Sequence, residues 1–184
     1  MKMLVGVLVA VVLAACAGVQ QWTEGWQPMQ RGEGPQPSVV FVFPEGRLVY
    51  ELNMRRPELV YPFIHQVDTG FYNGQYVHRS VPGLLAMVGE GSWVSLPNWR
   101  TRIPQEQGRY AKGGELGLVQ NDDGSFGPYL LMMRGGTDLE RDMVPPSLVL
   151  GWLVEGAELL KTLRKGDKLM EVYGQNFPKG PEPY

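Results

Sequence analysis

Cysteine and histidine are nearly missing from this chain of 184 residues, which holds one Cys and two His. That excludes an internal disulfide and a zinc cage built from these two residue types. An excess of either charge is also missing. Lys+Arg 17 against Asp+Glu 19 leave a formal charge of −2, so there is no basic footprint of the kind that holds nucleic acid by its phosphates, and no nucleic-acid partner is expected. No internal repeat is visible. The serines Ser80, Ser92 and Ser125 stand in no nucleophile elbow. Gly113-Gly114 and Gly135-Gly136 lack the Lys-Ser/Thr that completes a phosphate cradle, so they read as turns. Asn121-Asp122-Asp123-Gly124-Ser125 looks like a calcium loop only in part: with Gly124 at its sixth position, Val119 and Leu130 fall where an aspartate and a bidentate glutamate are needed. Any chemistry must therefore come from arginine, carboxylates, amides, hydroxyls or packing.

Glycine and proline are plentiful instead. Gly 24 and Pro 15 make 39 of 184 residues, about 21%, above the average of roughly 12% and below the roughly 25–30% of low-complexity chains. With 43% apolar residues, the composition predicts one loop-rich globular domain with a tail. The apolar run from Met3 to Ala15 is about 13 residues, where a spanning helix needs about 20, and it fits the core of a secretory signal behind Lys2. Leu13-Ala14-Ala15-Cys16 resembles the bacterial lipobox. That resemblance implies cleavage before Cys16, acylation of its thiol, and a membrane partner reached through the lipid anchor. Ala17, where an aspartate would suggest inner-membrane retention, implies the outer membrane, facing the periplasm. The expected layout is a lipoprotein signal peptide over 1–15, the lipidated Cys16 and a flexible tether over 16–37, and a domain over 38–184. Trp22 and Trp26 in the tether suit either headgroup contact or packing on the domain.

The domain opens with strand patterns. Val39 to Phe43 and Leu48 to Leu52 flank a Pro-Glu-Gly-Arg turn and predict a hairpin. A helix starts at Arg56-Pro57, with Leu59, Phe63 and Val67 on one face at i, i+4 and i+8. Pro62 removes a hydrogen bond to the Glu58 carbonyl and predicts a kink. Short strands are expected around Tyr76–Ser80, Leu84–Val88, Leu116–Gln120, Tyr129–Met133, Leu148–Leu153 and Lys168–Tyr173, with a second helix over Ala157–Leu163. Many short strands and few helices argue for a mainly β barrel or sandwich. Lys161, Arg164 and Lys165 suit the end of that second helix and need no partner.

The stretch Phe71-Tyr72-Asn73-Gly74 followed by Val77-His78-Arg79 and Pro82-Gly83-Leu84-Leu85 resembles the signature of the cyclophilin-type peptidyl-prolyl isomerases. Gly46 to Leu52 looks like that family's second strand, Pro57 to Gly70 like its first helix, and Leu148 to Gly156 like the segment before its second helix. The resemblance runs collinearly from about Ser38 to Tyr173. It implies an eight-stranded antiparallel β-barrel capped by two α-helices, and isomerisation of X-Pro bonds in proline-containing peptides or envelope proteins.

The reaction is rotation about an amide with a barrier of roughly 18–20 kcal/mol. It needs an apolar pocket for the proline ring and a donor for the twisted, basic amide nitrogen, but no nucleophile, metal or cofactor. By the resemblance Arg79 is the catalytic arginine, and its charge and fixed donors suit that task. His78, on the opposite face by strand alternation, reads as structural. The implied substrate-binding residues are Leu84, Leu85, Met87, Gln120, Leu130 and Met143. Met87 replaces the family's glutamine, Leu130 its second pocket phenylalanine and Pro128 another glutamine. Three readings stay open: an isomerase, possibly weak since several pocket residues depart from the family; a proline-peptide binder with little turnover; and an envelope lipoprotein that uses the barrel as a scaffold.

Overall fold

The structure, a computed structural model, describes residues 35–90, 113–120, 126–135 and 147–178. Cys16, most of the tether, the Asn121 to Ser125 turn and Met143 lie outside the described residues. The first hairpin joins β1 (Ser38–Phe43) to β2 (Gly46–Leu52), in a register that sets Phe43 against Gly46 across the Pro44-Glu45 turn. Its aromatic residues go inward: Phe41 and Tyr50 meet edge to face at 5.7 Å. Helix α1 (Pro57–Asp68) begins at the proline expected to start it. It continues through Pro62, and it buries Leu59, Phe63 and Val67 along the predicted stripe, together with Val60 and Ile64.

Strands β3 (Arg79–Val81), β4 (Leu85–Val88), β5 (Glu115–Gln120), β6 (Phe126–Met133) and β7 (Ser147–Glu155) follow. After them come helix α2 (Ala157–Thr162) and strand β8 (Glu171–Gln175). The strands form one antiparallel sheet in the order β3-β4-β6-β5-β7-β2-β1-β8. A single bridge between Tyr76 and Lys168 links the two ends of that order, so the sheet closes on itself as a barrel. The fold is the expected one, mainly β with eight antiparallel strands and two helices. The strand expected over Tyr76–Ser80 is shorter, because only the bridge at Tyr76 and the three residues of β3 pair there. The strand expected over Lys168–Tyr173 begins later, at Glu171, after the bridge at Lys168.

Close backbone approaches fix how the helices and strand ends sit. Gly156, at φ +95°, precedes α2, and a Cβ there would lie 2.3 Å from the Arg47 carbonyl oxygen, so only glycine lets the chain turn from β7 into the helix. The loop 71–76 is bonded to residues 169 and 172, where the chain enters β8. Val172 N–H donates to Asn73 Oδ1 at 2.7 Å, Gly74 N–H to Leu169 O at 2.9 Å and Leu169 N–H to Gln75 O at 2.8 Å. The barrel interior holds the main apolar core, with Phe41, Tyr50, Phe63, Tyr72, Leu116, Leu130 and Met132 among its buried side chains.

Candidate functional site

The edge hairpin β3-β4 carries the site. Val81-Pro82-Gly83-Leu84 closes it with Leu84 N–H donating to Val81 O at 3.1 Å. Proline at the second position and Gly83 at φ +74° at the third are the requirements of a type II turn. The turn sets the register: Arg79 faces Met87, Ser80 faces Ala86 and Val81 faces Leu85. The ladder continues into β6, with Met87 opposite Leu131 and Leu85 opposite Met133. Directly opposed residues of an antiparallel pair share a face. Two rows therefore run across the sheet on one side: Arg79, Met87, Leu131 and, beyond them, Gly117 of β5; and Val81, Leu85, Met133.

These residues make a second apolar cluster, separate from the core. Leu84, Leu85, Leu131 and Met133 are its buried members, and Val81, Met87 and Val119 pack against it half-buried. Arg79 stands exposed at the end of its first row. Among the described residues no carboxylate pairs with it. A guanidinium with unused donors beside an apolar cluster can hold a hydrocarbon ring with one group and donate to a polar atom of the same ligand with the other.

The other predicted residues divide. Leu84, Leu85 and Met87 are brought together with the Arg79 row. Leu130 is not: it is fully buried in the barrel core opposite Val88. Its neighbour Leu131 is the residue that faces Met87, so Leu130 stands on the barrel-facing side of β6, away from the Arg79 row. Sequence reasoning missed Leu131, Met133, Val81 and Val119. Leu130 to Met133 is apolar at every position, so alternation carries no signal there, and only counting the register from Met87 would have found it. Gln120 ends β5 opposite Phe126. Met143 lies outside the described residues.

His78 precedes β3. Its N–H donates to Met87 O at 3.1 Å and its ring lies against Tyr129 at 5.2 Å. Burial pushes its pKa below the ordinary 6.5; nearby Glu90 opposes that shift, while Arg79 and Lys165 add to it. Among the described residues no group of three or more His, Cys, Asp or Glu stands together as a metal site.

Arg134, just after β6, is the other residue that sequence reasoning missed. Its Nε donates to Leu160 O at 2.6 Å, one terminal nitrogen to Ser80 Oγ at 3.1 Å and Val81 O at 3.2 Å, and the other to Leu163 O. Ser80 Oγ itself donates to Leu163 O at 3.0 Å, and Arg134 N–H to Leu84 O at 2.8 Å. Burial lowers the Arg134 pKa, against the opposing pull of Tyr50 and Asp167.

The fold has relatives among solved structures. A cyclophilin type peptidyl-prolyl cis-trans isomerase of Cryptosporidium parvum, crystallised in the presence of the dipeptide Ala-Pro, aligns with a TM-score of 0.58 at 15% identity, covering 76% of this chain and 99% of that one. The cyclophilin AquaCyp293 from Hirschia baltica aligns with a TM-score of 0.53 at 16% identity, covering 77% of this chain and 75% of its own. A search of curated proteins returns no significant match. The model of the family described as cyclophilin type peptidyl-prolyl cis-trans isomerase/CLD matches residues 39–178, which span β1 to the end of β8 and so include both rows of the site. With its barrel, its edge hairpin and that match, the chain belongs to the cyclophilin-type peptidyl-prolyl cis-trans isomerase family.

Proposed function

We propose that the protein isomerises X-Pro bonds in exported proteins of the bacterial envelope, with Arg79 as the electrostatic catalyst. One observation carries this: an exposed arginine, with no carboxylate beside it among the described residues, ends a row of apolar side chains on the outward face of the sheet, next to the half-buried Met87 and Val81. The apolar side chains hold the proline ring, and the guanidinium donates to the amide nitrogen as it pyramidalises. Donation strongest at the twisted geometry lowers the barrier, whereas equal donation to the planar amide would not. The neighbour crystallised with Ala-Pro supports proline peptides as the ligand class. The test is a cis-trans assay on short X-Pro peptides with the domain and its Arg79→Ala variant. Loss of one preorganised donor commonly costs about 10²–10³ in turnover, and that is the expected loss; equal rates for the two proteins refute the reading.

A second reading, a proline-peptide binder with little turnover, is favoured by Met87. It stands directly opposite Arg79, at the position where the family resemblance expects a glutamine, and it supplies no strong hydrogen bond to a substrate backbone. Ala-Pro that shifts the NMR signals of residues 79–87 without any turnover would select it.

The address proposed with this function is the periplasmic face of the outer membrane, through acylated Cys16. About 20 residues of chain, if they behave as a flexible linker, have a root-mean-square reach of roughly 25 Å, enough to stand the domain off a bilayer. Cys16→Ser should move the protein from the membrane to the soluble fraction, and unchanged fractionation would refute the anchor.

A further inference from the structure

We infer that Arg134 is the positioning residue of the site: its guanidinium fixes the strand that carries Arg79. The inference rests on the isomerase reading above. Strand β3 is three residues long, and among the described residues it has a ladder with β4 alone, the chain being paired on its other side only upstream, at Tyr76 and Val77. A short edge of this kind frays readily, and a frayed β3 would let Arg79 drift off its row. Arg134 supplies the missing restraint from the other face of the hairpin. One arm of its fork holds Ser80 Oγ and Val81 O, the two residues that follow Arg79. The other nitrogens hold Leu160 O and Leu163 O at the end of α2. Its own N–H holds Leu84 O at the far side of the turn. Strand, turn and helix end are thus tied through one residue.

The chemistry requires an arginine. Spanning carbonyls of two elements and a hydroxyl at once takes a rigid planar fork, and the ammonium of lysine presents its donors from a single point. Half-burial adds to the requirement, because charge-assisted bonds are strongest where water competes least.

The test uses Arg134→Lys, with Ser80→Ala as a milder variant that removes the two bonds of Ser80 Oγ and leaves the carbonyl contacts of Arg134 in place. For Arg134→Lys, kcat on an X-Pro peptide is expected to fall about tenfold or more while KM changes less than twofold, which follows from losing bonds to a charged group. Amide exchange over residues 79–87 should rise by about the same factor, with β1 and β2 unchanged. Ser80→Ala should give a smaller loss of the same pattern, about threefold. An exchange increase spread evenly over all strands, or a fall in kcat matched by a rise in KM, would mean a merely structural role and would overturn the inference. So would unchanged exchange at 79–87 in both variants. If exchange responds as expected but the wild-type protein turns over no peptide, the positioning of Arg79 stands and the isomerase reading fails.

Discussion

Strands β4 and β6 serve two apolar clusters, one on each face, and the two differ in what borders them. Ala86, Val88, Leu130 and Met132 point into the barrel, where their surroundings are Phe41, Tyr50, Phe63 and Leu116. Leu85, Met87, Leu131 and Met133 point out, and their rows run to Arg79 and Val81 on the edge hairpin. The residue types are nearly the same on both faces. The inner cluster is closed by more hydrocarbon and stabilises the fold; the outer one ends at a cation and is the face proposed to bind substrate. Composition does not distinguish a core from a site here, whereas the identity of the bordering residue does.

The largest expected effect probes this division directly. Leu130→Ala should lower the unfolding free energy by about 2–5 kcal/mol, as large-to-small changes in closed cores do. Turnover per folded molecule should be unchanged, as read by denaturant unfolding and by an assay at a temperature where the variant is folded. A variant that keeps its stability and loses turnover would place Leu130 on the outer face after all.

Met87→Gln should do the reverse. It restores a polar donor and acceptor beside Arg79 at a half-buried position, with an expected gain of about tenfold in kcat/KM, the worth of a hydrogen bond to a charged group. Stability should change little, within about 1 kcal/mol. Unchanged kcat/KM would mean that the outer cluster binds by packing alone.

The smallest effect concerns the rim. Burial lowers the pKa of His78 below 6.5 in the folded state. As pH falls through 6.5 the unfolded chain takes up this proton first, so stability is lost progressively below pH 6.5 until the folded-state value is passed. The melting temperature should fall between pH 7.5 and 5.5 more steeply for the wild type than for His78→Phe, which keeps a ring against Tyr129. Parallel curves would show that the rim beside Tyr129 is as wet as bulk solvent.

How far these features were legible depends on whether the pattern was local. The first hairpin and the Leu59-Phe63-Val67 stripe are set by neighbours in sequence, and each forms as expected. Arg79 and Met87 could be paired because one short turn separates them. Leu130 could not be told from Leu131, since both faces of β6 bury apolar side chains and a one-residue slip leaves no hydropathy trace. Arg134 gave no signal at all. Its partners lie 26 to 54 residues away, and its task exists only once the end of α2 is folded against β3.

The loop over β8 has a consequence for the company the protein keeps. An open sheet edge is a template on which an extended chain can add as a further strand, and unfolded chains are the proposed substrate. Asn73 Oδ1 already takes the Val172 N–H of β8, Gly74 and Gln75 pair with Leu169 just before that strand, and among the described residues the opposite end of the sheet offers the three residues of β3. Among the described residues the two edge strands run to three and five residues, so an unfolded client of the proposed isomerase that visits the face of the sheet finds little rim to be zipped onto.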